Sequence, residues 1–445
     1  MKRVAIIAPD FTPSSLPPAT RVRFFASHLP DFGWEPIVIT TKPELYEAPV
    51  DPENERLLPP SLEVIRTGAF SARWTRKIGI GDIGMRSLWQ HWRALKRLCK
   101  EGKIDLVFIP VPPSVPMVLG RLARMRFGIP YVVDYIDPWV SDYYRKLPKD
   151  KRPPKWRFAD WLARTVEPFT LRHVSHITGV SKGTTDSVVS RYSWLSPGDA
   201  TEIPYGAEAS DFEYVRTHQR ADRIFDRADG LFHMSYVGAC PPAMDGTLRA
   251  LFAGVRLGLD RAPERFQRLR LHFVGTSYAA NGSSRQSVTA LAREAGIEKC
   301  VDERPARIAY LDSLQLMIDS QALVLVGSDE PHYTASKVFP YILAKRPLLA
   351  ILHEASSAVS ILREAKLGAL VTFNGNRQRT DETEKIFEAV NEILSLPNAR
   401  PPLTDWQGLD CYTTRAMTAR LAEVFDRVTG GGSAERPPPG KPAPH

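Results

Sequence analysis

Short apolar runs alternate with stretches of helical period along almost the whole chain. The clearest case spans residues 322–352, where the run Leu323–Val326 is closed by Gly327 and a polar loop, a helical stretch and a second run, Leu348–Leu352, follow. Apolar runs that are continuous instead of alternating predict strands buried on both faces, as in a parallel sheet. This segment therefore predicts a strand, a ligand-type loop, a helix and a strand.

The same alternation occurs in two successive sets. The first predicts strands at Val4–Ala8, Pro36–Thr40, Leu62–Arg66, Ile104–Val111, Pro130–Ile136, Ile177–Val180 and Thr201–Pro204. The second predicts strands at Phe232–Val237, Leu269–Val274, Val301–Glu303, Leu323–Val326, Leu348–Leu352 and Ala369–Phe373. Strands that alternate with helices predict α/β domains with parallel, doubly wound sheets.

The length of 445 residues suits two domains. We predict an N-terminal Rossmann-like domain over 1–210 and a C-terminal one over 231–410. The charge-dense segment 211–230 is interpreted as the connection between them. A helix over 411–429 is expected to pack back on the first domain, and the Gly- and Pro-rich residues 430–445 are expected to be disordered.

Candidate ligand loops follow the predicted strands. In an open α/β sheet, ligands bind at the carboxyl ends of the strands, and two such sheets in one chain predict a cleft between domains. Gly238, Gly275 and Thr276 each follow a strand of the second set, although ordinary turn geometry explains the two glycines equally well. Neither loop reads GxGxxG or GxxxxGKS, which argues against dinucleotide-dependent dehydrogenases and P-loop nucleotidases.

The polar loop after Gly327 ends in a second group of candidates at the start of a helix. Free backbone N–H groups and the helix dipole favour a phosphate at such a position. The alternative is a capped surface loop without a ligand, because Ser and Thr are common caps. The candidates are Tyr333, Thr334, Ser336 and Lys337.

Several strings resemble one family. Residues 336–351, SKVFPYILAKRPLLAI, are similar to the donor-binding segment of GT-B glycosyltransferases, particularly retaining family 4, which often reads S-K-x-x-E-Y-x-A-x-G-[KR]-P-x-L. VVDYIDPW resembles the family's D-x-R-D-x-W signature, with Asp134, Asp137 and Trp139 matching. The opening FTPSSLPPATRVRFF resembles the family's acceptor loop. The likeness covers about residues 1–428, and Pro340 stands where the family has a ribose-binding Glu.

The resemblance implies a GT-B fold, two Rossmann-like domains facing an interdomain cleft, with acceptor binding in the first domain and nucleotide-sugar binding in the second. It also implies retention of configuration, no metal and no cofactor besides the nucleotide-sugar co-substrate. Asp137 is the predicted catalytic residue, with capping of the following helix as the alternative. The acceptor candidates are Ser14, Ser15, Arg21 and Trp139, and the donor candidates are Gly238, Gly275, Thr276, Tyr333, Thr334, Ser336 and Lys337.

Charge adds a candidate partner. The net charge is +9, and residues 73–103 and 145–157 are rich in Lys and Arg, with Trp74, Trp89 and Trp92 interleaved in the first run. Basic residues with Trp suit an anionic membrane surface, or are simply a solvated face. Nucleic acid also fits this balance, but no nucleic-acid-binding signature accompanies it, so no nucleic-acid partner is expected.

The remaining composition indicates a cytoplasmic protein. Four cysteines lack any metal-ligand spacing, which argues for a reducing compartment and against a zinc site. No apolar stretch reaches the roughly 18 residues of a membrane span, and no signal peptide is apparent. We therefore predict a cytoplasmic enzyme, peripheral to the inner face of the plasma membrane.

Together these features predict a glycosyltransferase that moves a sugar from a nucleotide donor to a cell-surface glycan or lipid-linked acceptor. Two alternatives stay open. One is a GT-B-shaped binding or partner protein without activity, which Pro340 suggests. The other is an enzyme of the same architecture that acts on a free nucleotide sugar, such as an epimerase.

Overall fold

The structure is a computed structural model that describes residues 1–47, 50–142, 145, 152, 155–220, 223–277, 286–329, 337–364, 366–374, 380–396 and 412–430. The chain forms two compact units. The first domain comprises Met1–Pro204 and the C-terminal residues from Met417, and the second comprises Tyr205–Ala416.

The first domain is built on a parallel sheet of seven strands in the order β3-β2-β1-β4-β5-β6-β7. Parallel strands are joined by crossover connections, which are usually helical, as the sequence pattern predicts. The strands are β1 (Lys2–Ile7), β2 (Trp34–Thr41), β3 (Glu63–Thr67), β4 (Leu106–Val111), β5 (Tyr131–Tyr135), β6 (His176–Gly179) and β7 (Ala200–Glu202).

Both faces of the sheet of the first domain are apolar, because successive residues of each strand face opposite sides and both sets are buried. Helices cover these faces. Ala5 and Ile7 pack in one apolar cluster, whereas Val4 and Ile6 pack in another. The α-helices are α1 (Pro17–His28), α2 (Ala72–Thr75), α3 (Ile83–Lys100), α4 (Met117–Phe127), α5 (Trp156–Leu171) and α6 (Lys182–Val189).

The second domain has a parallel sheet of six strands in the order β10-β9-β8-β11-β12-β13. These strands are β8 (Phe232–Val237), β9 (Leu269–Val274), β10 (Val301–Arg304), β11 (Ala322–Val326), β12 (Leu348–His353) and β13 (Ala369–Phe373). Its helices are α7 (Ala209–Thr217), α8 (Asp245–Arg261), α9 (Pro263–Phe266), α10 (Ser287–Glu294), α11 (Tyr310–Asp319), α12 (Val338–Leu343), α13 (Ser357–Glu364) and α14 (Thr380–Ser395).

The segment predicted as a connection, 211–230, is part of the second domain where it is described, because the domain boundary falls at Pro204. Helix α7 lies in it, and the Asp211 carboxylate accepts a hydrogen bond from the Tyr310 hydroxyl at 2.7 Å. This charged segment thus makes contacts within the second domain.

The last helix, α15 (Thr414–Gly430), packs on the sheet of the first domain. Leu421 and Phe425 lie in the same apolar cluster as Val4 and Ile6, and the Phe425 ring meets Trp34 edge-on at 5.2 Å. The predicted disordered tail, 430–445, lies outside the described residues except for Gly430.

Each strand predicted from the sequence is present, and the predicted α/β class is confirmed. The bounds shift by at most two residues, as where β4 begins at Leu106 instead of Ile104. The described cysteines, Cys99, Cys240 and Cys300, are buried free thiols. In the described part of the chain, no helix has the length and apolarity that crossing a bilayer requires.

Candidate functional site

Two glycine turns meet at the carboxyl edge of the second sheet. Gly238 follows β8 with φ of 132°, and Gly275 follows β9 with φ of 77°, backbone conformations that residues with a Cβ rarely adopt. The Gly238 N–H donates to the Val274 carbonyl at 2.7 Å, which joins the turns. A Cβ on Gly275 would lie 3.8 Å from the Cα of Arg307. Gly238, Gly275 and Arg307 therefore form one continuous surface.

Lys337 lies across this surface. A Cβ on Gly238 would be 2.2 Å from the Lys337 Cε, so the lysine stem occupies the space that the missing side chain leaves. The Lys337 Nζ donates to the Tyr236 hydroxyl oxygen at 2.6 Å and lies 4.4 Å from the centre of that ring. The Tyr236 hydroxyl itself donates to the Ala239 carbonyl at 2.9 Å. The amine is thus held in one place by groups without negative charge.

The electrostatics of this cluster favour an anion. Among the described residues, no carboxylate forms an ion pair with Lys337. Burial, together with a smaller effect of the nearby Arg307 charge, lowers the pKa of Lys337 to about 8. Burial also raises the pKa of the neighbouring Cys240 thiol to about 12, so it stays neutral. An amine that is desolvated near a guanidinium, and that pairs with no carboxylate among the described residues, is a site at which a phosphate group would be stabilised.

Thr276 follows β9, as predicted, and its hydroxyl is hydrogen-bonded inside the second domain. Its hydroxyl donates to the Glu303 carboxylate at 2.7 Å, and the other oxygen of Glu303 accepts from the Thr289 N–H at the start of α10, also at 2.7 Å. The Thr276 side chain is buried. Thr276 therefore connects β9 with β10 and, through Glu303, with α10. The proton of its hydroxyl is engaged in the hydrogen bond to Glu303.

Tyr333, Thr334 and Ser336 lie outside the described residues. Lys337 directly precedes α12, where the sequence places the start of a helix. Pro340 is in the first turn of α12, where a missing N–H costs nothing, and the Ala344 N–H donates to its carbonyl at 2.9 Å. Lys345, at the position of the family's Gly, keeps a left-handed φ of 56°.

Asp137 lies just beyond β5 at the carboxyl edge of the first sheet. Its side chain is exposed, and partial burial raises its pKa above the ordinary aspartate value. Trp139, two residues on, is half-buried and packs against the apolar cluster that contains Tyr135. A carboxylate of raised pKa that water and substrate can reach suits proton transfer or the orientation of a hydroxyl group.

Arg21 and Asp134 lie inside the first domain. The guanidinium donates to both carboxylate oxygens, at 2.7 and 3.0 Å, and also to the carbonyls of Ile203 and Pro204 at 2.8 and 3.3 Å. Thr178 donates to the same carboxylate at 2.7 Å. Both charged side chains are fully buried. Arg21 thus joins α1 to β5 and the end of the first domain, and the structure does not place it on an acceptor-binding surface.

Ser14 and Ser15 follow β1, on the same edge as Asp137 with only β4 between their strands. Ser14 is buried, and its hydroxyl accepts from the Leu16 N–H at 3.4 Å. In the same loop, burial and the charge of Asp82 raise the pKa of Asp10 to about 6. Asp10 is thus a second carboxyl group of raised pKa at this edge.

Sequence reasoning missed Tyr236, Arg307 and Asp10. Tyr236 belongs to an apolar strand and Arg307 to a loop of ordinary composition, so only their position beside Lys337 marks them. Asp10 had a signal, because it is the first acidic residue after the first strand and precedes the predicted acceptor loop.

Comparison with known families gives a match in the N-terminal part of the chain. Residues 18–206 match the family described as "Glycosyl transferase 4-like domain". This range contains α1, β5 and the Asp137 loop. A comparison with curated protein sequences finds no match.

Known structures resemble the chain over almost its whole length. Sucrose-phosphate synthase from Thermosynechococcus elongatus has a TM-score of 0.60 at 14% identity, and the alignment covers 97% of this chain and 100% of that one. HepE from Anabaena, in complex with UDP and glucose, has a TM-score of 0.59 at 12% identity, with 96% and 100% covered. WaaG, a glycosyltransferase involved in lipopolysaccharide biosynthesis, has a TM-score of 0.51 at 13% identity, with 96% and 100% covered.

At these identities the structural likeness shows the fold, which is GT-B, as predicted. The family match adds the class of activity in the first domain. The protein is therefore a glycosyltransferase of the GT-B fold, similar to the family 4 enzymes.

Proposed function

We propose that the protein transfers a sugar from a nucleotide sugar to a cell-surface glycan or a lipid-linked acceptor, with retention of configuration and without a metal ion. The second domain binds the donor and the first binds the acceptor. The observation that carries this proposal is the cluster of Lys337, Arg307, Gly238 and Gly275, a positively charged, glycine-lined surface at the carboxyl ends of parallel strands.

A diphosphate fits this cluster chemically. Gly238 makes room for the Lys337 stem, Gly275 lets the backbone come close to a ligand, and the two cations neutralise the charge that develops on the leaving nucleoside diphosphate. The cations supply at this position what a divalent metal supplies in other transferases, which supports the metal-independent proposal. The HepE structure contains UDP and glucose, and this supports a nucleoside diphosphate as the leaving group.

Lys337→Ala is expected to weaken nucleoside diphosphate binding by about ten- to a hundredfold, because a charge-assisted contact contributes roughly 1.5–3 kcal/mol. A thermal-shift screen with UDP, GDP and ADP identifies the nucleotide, since a ligand that binds the folded state stabilises it. Isothermal titration calorimetry near pH 7 then compares the affinities of wild type and variant.

The matched control is Lys299→Ala, which removes an exposed lysine from the same domain and should leave the affinity unchanged. Equal affinity of wild type and Lys337→Ala would remove Lys337 from the donor site. Failure of all three nucleotides and their sugar conjugates to bind the wild type would contradict the proposed donor class.

An envelope acceptor is proposed from the first domain and from one similar protein. WaaG is described as involved in lipopolysaccharide biosynthesis. Of the eleven large apolar side chains that are exposed among the described residues, ten belong to the first domain. Acceptors that are linked to lipid lie at a membrane surface, so an acceptor-binding domain with exposed aromatic and basic groups suits them.

The exposed groups form what we call the aromatic–basic surface, residues 70–79 and 155–161. A Cβ on Gly79 would lie 3.6 Å from the Lys155 Nζ, so the two segments are adjacent. The acid in the second segment, Asp160, is neutralised by Arg164 at 2.9 Å. The surface exposes Phe70, Arg73, Trp74, Arg76, Lys77, Ile78, Lys155, Arg157, Phe158 and Trp161.

We propose that this surface docks the enzyme reversibly on anionic lipid at the inner face of the plasma membrane. Binding to vesicles that contain phosphatidylglycerol should weaken steeply as salt shortens the Debye length from about 10 Å at 0.1 M to about 3 Å at 1 M. Flotation on anionic and neutral vesicles measures this. Trp74→Ser with Lys77→Ser should reduce flotation, whereas Lys299→Ser should not. Equal flotation with both lipids, or none, would contradict docking.

The proposal differs from its alternatives in one assay. A transferase releases nucleoside diphosphate only when the acceptor is present, an epimerase converts the free nucleotide sugar, and a binding protein does neither. Pro340 provides no carboxylate for the ribose, so this assay also tests whether donor binding survives that substitution. Nucleotide binding without turnover in the presence of envelope extract would favour the non-catalytic alternative.

A further inference from the structure

The amine of Lys337 is positioned by the turn at Gly238 and by Tyr236. Its stem crosses Gly238 and its Nζ rests on the Tyr236 hydroxyl oxygen and ring face. The Tyr236 hydroxyl hydrogen is directed to the Ala239 carbonyl, which leaves an oxygen lone pair for the lysine. The Val237 N–H donates to the Tyr341 hydroxyl at 2.8 Å, which ties the end of β8 to α12.

Among the residues that the structure describes, the charged and titratable groups around this amine give it no carboxylate partner. Arg307 is a cation, and the Cys240 thiol stays neutral near physiological pH. The charges of Glu303 and Asp245 raise the pKa of Cys240. Glu303 already accepts hydrogen bonds from Thr276 and Thr289. Among the described residues, the charged form of this lysine therefore has no carboxylate as counter-ion, and a bound diphosphate would supply two or more negative charges.

We propose that Tyr236 is a positioning residue for Lys337, and that binding of the donor diphosphate is coupled to uptake of a proton by that amine. This inference rests on the proposed donor site. In the free protein the amine loses its proton at a lower pH than an ordinary lysine, because it is desolvated near Arg307. The diphosphate stabilises the ammonium by charge and hydrogen bonding, so the bound amine keeps its proton to a higher pH.

The direction and size of the proton uptake follow from the pKa of the Lys337 amine in the free and the nucleotide-bound protein. With a pKa of about 8 in the free protein, roughly three quarters of the Lys337 amines are neutral near pH 8.5. Binding there should take up close to that fraction of a proton per nucleotide. The nucleotide itself does not interfere, because its terminal phosphate loses its last proton near pH 6. Affinity should fall about tenfold between pH 7 and pH 9.

Calorimetry of UDP, GDP and ADP binding near pH 8.5, in two buffers of different ionisation enthalpy, counts this proton directly. For the wild type, the observed enthalpy should differ between buffers by the product of the proton uptake and the difference in ionisation enthalpy. Lys337→Arg keeps a permanent charge, so it should bind without proton uptake and without the loss of affinity towards pH 9. Lys299→Met should behave as wild type.

Tyr236→Phe tests the positioning role, because it removes only the hydroxyl that accepts from Lys337. Loss of that hydrogen bond disfavours the ammonium, so the decline of affinity should begin at lower pH than in the wild type. A merely structural role would weaken binding equally at all pH values. Nucleotide binding with equal affinity at pH 7 and pH 9 and no buffer dependence would overturn the coupling and leave the donor site intact. Absence of any nucleotide binding would overturn the donor site itself.

Discussion

Asp137→Asn is expected to lower turnover by about 10² to 10⁴, the usual contribution of a general base, while nucleotide affinity stays the same. The amide keeps the shape of the side chain but cannot accept a proton from an acceptor hydroxyl. Release of nucleoside diphosphate in the presence of acceptor measures the loss. Because partial burial raises the pKa of Asp137, activity should fall with decreasing pH at a higher pH than an ordinary aspartate would cause.

The control for this variant is Asp31→Asn, which changes an exposed acid that precedes β2 at the opposite edge of the same sheet. It should keep wild-type turnover. If Asp137→Asn instead unfolds, with turnover per folded molecule unchanged, Asp137 has a structural role in the loop after β5 and the assignment of a base is wrong.

Arg21→Met is expected to destabilise the first domain by about 3–5 kcal/mol, because it leaves the Asp134 carboxylate as an unpaired charge in the interior. The midpoint of urea unfolding should fall by roughly 1–2 M. Tryptophan fluorescence is a suitable probe, since eight of the nine tryptophans precede residue 205.

Two further variants separate the mechanism from general damage. Arg3→Met removes a half-exposed arginine that pairs with Glu35 at 2.7 Å, and should cost at most about 1 kcal/mol. Arg21→Met combined with Asp134→Asn removes both charges and should recover much of the lost stability. Equal destabilisation by Arg21→Met and Arg3→Met would show that burial of the Arg21–Asp134 pair does not decide its contribution.

The candidate site was predictable only in part. Lys337 and the two glycines, Gly238 and Gly275, follow strand ends, and a strand end can be recognised from local apolar runs. Thr276 has the same local context, yet its hydroxyl belongs to Glu303, which lies 27 positions later. Local pattern indicates where a side chain is in an element, but it does not indicate which distant group the side chain meets.

Arg21 illustrates the same limit. Its sequence context, the start of a helix after a polar loop, fits a ligand-binding residue and an internal residue equally well. Its carboxylate partner, Asp134, is 113 positions away and lies within β5. Only the assembled sheet shows that the arginine faces the interior.

By itself, the sequence determined the thirteen strands, their parallel α/β character and the loops at their ends, because side-chain burial in a strand or helix repeats with a fixed local period. The tertiary structure decided which residues share a site. It placed Tyr236 and Arg307 beside Lys337 and enclosed Arg21 with Asp134, since these contacts join residues far apart in the chain. The burial of these side chains, and the pKa of Lys337, depend on neighbours that are distant in sequence, which no local pattern encodes.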